Sequence, residues 1–157
     1  MTRSASGAVI RAILLATLVA GALDIGAAIL TNPQVPARVV LQSVAGGWLG
    51  AETYRGGWPT AWLGLASHFA LMLWIVTVYV ALASRWPGLN RLWPAAGVVW
   101  GILVWGVMSF AVVPLSASTL PTPDLSAALK GIAIHILFVG LPIAWIARRF
   151  LGPRSAA

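Results

Sequence analysis

The chain has 157 residues, of which 60% are hydrophobic and 8% are charged; ten are Lys or Arg, three are Asp or Glu, and none is Cys. Soluble domains carry about 25% charged residues, so this chain has too little charge to cover a soluble fold and too much apolar surface to stay disordered. Without cysteine it has no disulfide or thiolate chemistry, and its net charge of +7 comes without a nucleic-acid-binding motif, so we expect an integral membrane protein with no nucleic-acid partner.

Four segments are long and apolar enough to cross a bilayer, which takes roughly 20 mainly apolar residues. In chain order they are predicted over residues 12–30, 61–83, 94–115 and 131–147. Polar or helix-breaking residues follow each of them, such as Thr31-Asn32-Pro33 after the first and Arg148-Arg149 after the last. The prediction is an all-α fold in which one domain, residues 1–157, forms a bundle of four transmembrane helices.

Residues 36–49, in the connection between the first two spans, are too short to cross a membrane and too apolar for an ordinary loop. Apolar stretches of this length are typical of re-entrant or interfacial helices. Pro36 suits a helix start, and Gly46-Gly47 can end or bend the helix. We therefore expect a short fifth helix that either enters the membrane or lies on its surface.

The distribution of positive charge predicts the orientation of the bundle. Four spans place both termini on one side, and that side carries seven arginines and no acid. These are Arg3, Arg11, Arg85, Arg91, Arg148, Arg149 and Arg154. The other side carries Arg38, Arg55 and Lys130 together with Glu52 and Asp124. Because cytoplasmic loops are enriched in Lys and Arg, both termini are predicted to be cytoplasmic, and the basic charge reports topology.

Three ionisable residues fall inside the predicted spans: Asp24, His68 and His135. Such residues are costly in a membrane, and each one indicates a functional site. At 1.5 Å per residue all three lie roughly 6–11 Å below the outer boundary, although they belong to three different helices. The sequence therefore predicts one polar layer, which we call the Asp/His layer, formed by these three residues.

Three interpretations of this layer are open. In the first, the layer is a buried hydrogen-bond cluster that only specifies packing. In the second, it is a site that binds a proton or a small solute for transport or sensing. In the third, it is a haem or metal site with two histidine ligands. A carboxylate beside imidazoles titrates near neutral pH, which suits the second interpretation. The third lacks support from any Cys-x-x-Cys-His or His-x-x-x-His motif. The sequence names no cofactor.

Arg38 and Gln42 stand four residues apart and therefore on one face of the short helix. If that helix dips inward, they cover the Asp/His layer from outside and belong to its binding site. Alternatively, Arg38 anchors the helix to lipid phosphates.

No hydrolase, metalloprotease or P-loop motif is present, and three acids in the whole chain leave little for two-carboxylate chemistry, so we expect no enzyme. A different class of function is that of an accessory subunit, whose Gly-rich and Trp-rich faces pack against a larger membrane complex. A conducting role would need a homo-oligomer, because four short spans leave little room for a pore in one chain.

A family resemblance rests on six segments that occur in order. They are Gly21-Ala-Leu-Asp-Ile25, Arg38-Val-Val-Leu-Gln-Ser43, Gly64-Leu-Ala-Ser-His-Phe69, Val113-Pro-Leu-Ser-Ala117, Ile134-His135 and Val139-Gly-Leu-Pro-Ile143. Over about residues 12–149 the chain resembles a group of small four-helix bacterial inner-membrane proteins with no assigned reaction, and more distantly the YagU family. The resemblance implies an inner-membrane location and a shared site that includes Asp24, Arg38, Gln42, His68 and His135.

Overall fold

The computed structural model describes residues 2–152, with side chains from residue 6 onward, and over this range the chain is helical without a β-strand. Six helices follow in chain order: α1 (Thr2–Leu30), α2 (Ala37–Leu49), α3 (Gly57–Arg85), α4 (Pro87–Arg91), α5 (Trp93–Leu115) and α6 (Leu125–Leu151). A 3₁₀-helix over Gly50–Arg55 connects α2 to α3. In the described range, α1, α3, α5 and α6 are long and apolar enough to cross a membrane, which confirms the prediction of a helical membrane protein.

The helix bounds follow the predicted spans closely at their C-terminal ends and extend past them at their N-terminal ends. The first and third predicted spans end at Leu30 and Leu115, as the helices do. The helix α1 begins at Thr2, ten residues before the predicted position 12, and α6 begins six residues before the predicted position 131. Asp124 explains this start, because its carboxylate accepts a hydrogen bond of 2.8 Å from the Ala127 N–H and so caps the helix. Helices thus continue beyond the apolar run that predicts them.

Neighbouring long helices run antiparallel, so that α1 begins on the side where α6 ends. Contacts between Gly97 and Gly140 and between Gly101 and His135 pair α5 with α6 in opposite directions. Lys130 at the start of α6 bonds to Thr31 after the end of α1. We call the side with the start of α1, the end of α6 and α4 the terminal side, and the opposite side the loop side. Arg3 and Arg154, which enter the topology prediction, lie outside the residues whose side chains are described.

A three-helix core of α1, α3 and α6 forms the centre of the bundle, since each of these helices packs against the other two. Alanines on one face of α1 let the helices approach closely: Ala12, Ala16 and Ala20 are fully buried against α3 and α6. The contacts of α6 with α1 and α3 come from its second half, His135–Leu151, whereas the segment Leu125–Ile134 packs on α5 and buries no residue. The core is therefore closed on the terminal side and more open on the loop side.

The helix α5 packs against α6 through glycines. A Cβ atom at Gly101 would lie 2.7 Å from the His135 carbonyl oxygen, and one at Gly140 would overlap the carbonyl oxygen of Gly97. Only glycine allows the two backbones to come this close. The contact fixes the backbone of His135 against α5.

The helix α2 lies alongside α3 and runs in the same direction. Gln42 bonds to Thr60, Leu41 and Ala45 contact Gly64, and Trp48 donates a 3.1 Å hydrogen bond to Ser67. From Gln42 to Trp48 the contacts advance in the same direction along both helices, which shows that they are parallel. Gly64 is required at the crossing, because a Cβ there would overlap the Leu41 carbonyl oxygen.

Two spans contain a π-helical segment, and each segment ends two residues before a proline. In α5 the segment is Met108–Val112 and the proline is Pro114; in α6 it is His135–Gly140 and Pro142. Proline lacks an N–H and collides with the carbonyl four residues earlier, so the preceding turn widens to a longer hydrogen-bond spacing. Both prolines thus follow a widened turn of their helix.

Candidate functional site

His68 is positioned by a close contact between α3 and α1. Its side chain is buried, and its Nε2 lies 2.9 Å from the carbonyl oxygen of Gly21. Gly21 permits this approach, because a Cβ at that position would lie 2.6 Å from the ring of Phe69. A carbonyl only accepts hydrogen bonds, so Nε2 carries the proton and Nδ1 of the neutral ring has no partner among the described residues.

Asp24 lies on the interior face of α1, one turn beyond Gly21 toward the loop side. It follows Ala20 by four residues and precedes Ala27 by three, and both of these alanines are buried. The residue itself is half-buried, and its carboxylate makes no hydrogen bond or ion pair within the described range. A carboxylate in a membrane span is expensive, so an accessible and unpaired one is available for a proton or a cation.

His135 lies on α6 at the first residue of the π-helical segment and is half-buried. Its Nδ1 lies 2.9 Å from the Gly131 carbonyl oxygen on its own helix. The same argument places the proton on Nδ1, which leaves Nε2 as the free acceptor. The histidine backbone is held by Gly101 on α5, while its ring position follows from the widened turn.

The three residues of the Asp/His layer therefore come from the three helices of the core, and each histidine is tied to a backbone carbonyl. In the described range no hydrogen bond or ion pair joins Asp24 to either ring. The packing-only interpretation of the layer, a mutually bonded cluster, does not match this geometry. No three His, Cys, Asp or Glu among the described residues are grouped so that they could hold a metal ion, whereas the haem interpretation needs only the two histidines and stays a prediction.

Gln42 and Arg38 occupy different surroundings, although they share a helix face. The Gln42 amide is 1% exposed and donates hydrogen bonds to the carbonyl oxygens of Thr53 and Gly57 and to the Thr60 hydroxyl, at 2.9, 3.0 and 2.9 Å. The structure thus places Gln42 at the junction of α2 with α3. Arg38 is exposed and, within the described range, has no hydrogen bond or ion pair.

Sequence reasoning missed the partners of Gln42. Thr53 is fully buried and returns a 2.9 Å hydrogen bond to the Gln42 carbonyl, and the Thr60 hydroxyl also bonds to Thr53. The two threonines lie within residues 50–60, where glycine, charged, polar and aromatic residues follow one another without a helical or strand period. The sequence therefore gives no signal for these partners.

Lys130 joins the loop-side ends of α1 and α6, a role beyond the membrane anchor that its position predicts. Its ammonium donates to the Thr31 carbonyl at 2.6 Å and to the Asn32 side chain at 3.4 Å. The bond crosses the region where the segment Leu125–Ile134 buries no residue. It therefore connects α1 and α6 at the loop-side end of the core, where α6 is loosely packed.

A groove of about 1080 Å³ lies on the other face of α3, between α2, α3 and the π-helical segment of α5. Its lining is uncharged and includes Ser43, Trp48, Ser67, Trp74, Met108 and Ser116. None of Asp24, His68 and His135 borders it. The groove and the Asp/His layer are separate features on opposite faces of α3.

Comparison with known proteins adds no assignment: no protein-family model, no curated protein and no solved structure matches this chain. The resemblance to the small bacterial inner-membrane group therefore stays a prediction. Any function must be argued from the site itself.

Proposed function

We propose that this chain is a multi-pass protein of the bacterial inner membrane that binds a proton or a small solute at Asp24, His68 and His135, for transport or sensing. The binding is not coupled to catalysis. The proposal keeps both termini in the cytoplasm, in line with the charge distribution, so that the open half of the core faces outward.

The observation that carries the proposal is the half-buried, unpaired carboxylate of Asp24 on the interior face of a membrane span. Two further spans of the same core each contribute a histidine with one ring nitrogen that has no partner among the described residues. A carboxylate and two imidazole acceptors suit a proton or a small hydrogen-bond donor. The backbone bonds of the histidines fix their tautomers, which prepares the free nitrogens to accept.

Access from outside is supported by the loose packing of the first half of α6. We infer that α2 and the 3₁₀-helix form a re-entrant hairpin beside this opening, since α2 runs parallel to α3 from Thr60 as far as Ser67. In this arrangement Arg38 and Gln42 stay near the outer entrance, where Gln42 holds the hairpin and Arg38 meets the solute or the lipid headgroups.

The experiment is infrared spectroscopy of the aspartates, with the protein in lipid bilayers and the aspartate side chains isotope-labelled. The chain has two aspartates, so Asp24→Asn leaves Asp124 as the only labelled carboxyl, and the matched variant Asp124→Asn leaves Asp24. We expect the Asp24 carboxyl band, and not that of Asp124, to shift when His68→Gln or His135→Gln replaces one ring of the layer. Gln at position 68 can still donate to the Gly21 carbonyl.

The matching functional measurement is proton flux into liposomes under an imposed membrane potential. Asp24→Asn should abolish a flux that Asp124→Asn retains. The proposal is overturned if the Asp24 band is unchanged by both histidine substitutions and Asp24→Asn retains the flux.

A further inference from the structure

Buried polar atoms without a protein partner continue from the Asp/His layer toward the terminal side. Within the described side chains they are Thr17 Oγ1, Tyr79 OH, Trp100 Nε1 and Asn90 Oδ1, apart from Gln42 Oε1 in the α2 junction. Tyr79 is 2% exposed and Asn90 is 3% exposed. A hydroxyl, an indole N–H or an amide oxygen that is buried unpaired costs free energy, and in a membrane span bulk water cannot satisfy it.

The four atoms occupy successive levels of the bundle. Thr17 lies one turn from Gly21 on the same face of α1, and thus directly below the contact of Gly21 with His68. Tyr79 lies 11 residues past His68 on the buried face of α3, which is about 16 Å at 1.5 Å per residue. Asn90, in α4, bonds to the carbonyl oxygen of Ala83, one turn beyond Tyr79. The series therefore leads from the Asp/His layer to the turn on the terminal side.

Tyr79 and Trp100 meet where α3 faces α5. Their ring centroids are 5.3 Å apart at an interplanar angle of 63°. This ring contact joins the Tyr79 and Trp100 side chains within the series.

The hydrogen-bonding types of the four groups define what can satisfy them. The indole N–H only donates, the Asn90 oxygen only accepts, and the two hydroxyls do both. A partner must therefore donate and accept in turn, and it must be small and uncharged, because no ionisable side chain other than Tyr79 belongs to the series. Water has these properties, and buried waters typically pair with such groups.

We propose that Thr17, Tyr79, Trp100 and Asn90 bind a short file of internal water that connects the Asp/His layer with the terminal side. The water site is inferred from the set of unpaired atoms and does not depend on the proposed function. Its role rests on the proposed function: the file is the inward route of a proton held at Asp24 and His68, with Tyr79 as the group that relays it.

The test of hydration uses solid-state NMR in bilayers, with magnetisation transferred from water to labelled tyrosine rings. The chain has two tyrosines, so the variant Tyr54→Phe leaves Tyr79 as the only signal. Tyr54 is 40% exposed in the 3₁₀-helix, and its own signal in Tyr79→Phe calibrates the transfer. We expect rapid transfer from water to Tyr79; a Tyr79 ring that stays dry while Tyr54 is hydrated overturns the proposal.

Thermal unfolding gives a second readout that does not depend on flux. If water pairs with the Tyr79 hydroxyl, Tyr79→Phe removes a satisfied bond and lowers the midpoint temperature, while Tyr54→Phe leaves it unchanged. If the hydroxyl is truly unpaired, Tyr79→Phe raises the midpoint, which contradicts the proposal.

The flux assay separates this inference from the proposed function. We expect Tyr79→Phe to reduce proton flux at least tenfold while the Asp24 infrared band still shifts with the histidine substitutions. A hydrated Tyr79 together with an Asp24 band that ignores both histidines, and a flux that Asp24→Asn retains, refutes the proposed function and leaves the water site standing. An Asp24 band that shifts with the histidines, together with unchanged flux in Tyr79→Phe, refutes the relay.

Discussion

The two halves of the three-helix core are stabilised by different means. On the terminal side, small and branched apolar residues close the core, and Ala12, Ala16, Ile143 and Ala147 are essentially inaccessible. On the loop side, α6 buries no residue over Leu125–Ile134, and the helices are joined by polar contacts such as Lys130 to Thr31. Dispersion and close packing thus act in one half and hydrogen bonds to backbone carbonyls in the other.

This difference separates the part of the molecule that maintains the fold from the part that holds the Asp/His layer. A closely packed half tolerates little change of volume, whereas a half with fewer buried contacts opens at lower cost. The unpaired carboxylate of Asp24 lies in the half that can open. Substitutions matched between the halves test this division.

The largest effect is expected on the terminal side, from Ala16→Leu. Ala16 is fully buried against α3 and α6, and no space exists there for three additional carbon atoms. Overpacking of this kind costs typically 1–3 kcal/mol, and we expect about 3 kcal/mol here because a backbone contact must widen. The measurement is the free energy of unfolding in mixed micelles with increasing denaturing detergent.

Ala22→Leu is the matched control, because Ala22 is exposed on the same helix and points away from the core. It should unfold as the wild type does. Equal losses from both substitutions would show that helix insertion, and not core packing, determines the stability of this half.

On the loop side, the next largest effect is expected from Gln42→Leu. This substitution keeps the volume but removes three hydrogen bonds, to Thr53, Gly57 and Thr60, and leaves buried acceptors less well paired. The expected loss is about 2 kcal/mol. Hydrogen exchange should show that α2 and Gly50–Arg55 lose protection while α1 and the second half of α6 keep theirs.

An unchanged exchange pattern would mean that the apolar contacts of α2, such as Leu41 and Ala45 on Gly64, hold the hairpin without the amide. Loss of protection throughout the chain would instead make both halves one cooperative unit. Either result contradicts the division proposed above.

At the boundary between the halves, Gly21→Ala should cost about 1 kcal/mol, since the new methyl group presses on the Phe69 ring 2.6 Å away. The histidine next to Phe69 should shift with it, and the proton NMR signal of the His68 Nε2–H should move. Gly26→Ala is the control: nothing lies within 4 Å of a Cβ there, so stability should be unchanged or slightly higher. A wild-type His68 signal in Gly21→Ala would show that this glycine does not position the histidine.

Much of the fold follows from the sequence, because length and apolarity are enough to define four spans, and the short apolar stretch after Pro36 predicts α2. The shared depth of Asp24, His68 and His135 stays a prediction from the rise of a helix. The side-chain partners do not follow from the sequence, because they depend on helix rotation and on which helices are neighbours. Both histidines bond to backbone carbonyls, and a carbonyl leaves no mark in a sequence.

The form of the π-helical segments could not be predicted from the sequence either. A proline such as Pro114 or Pro142 disturbs the helical hydrogen bonds before it, but whether the helix kinks or its turn widens depends on the neighbours that receive the displaced carbonyls. In α6 the neighbour is Gly101, which accommodates the His135 backbone. The series Thr17, Tyr79, Trp100 and Asn90 is likewise invisible as a motif, since its members come from three spans and a turn.

The smallest effect on stability is expected from Asp24→Asn, which is also the substitution with the largest effect on the proposed binding. The carboxylate has no partner within the described range, so its removal breaks no contact and relieves the cost of a charge near the membrane. We expect the free energy of unfolding to rise by less than about 1 kcal/mol, whereas removing one member of a buried ion pair would be strongly destabilising. Asp124→Asn calibrates the measurement, because asparagine caps a helix about as well as aspartate. A clear loss of stability in Asp24→Asn would reveal a partner for the carboxylate and would make the loop-side layer part of the structural core.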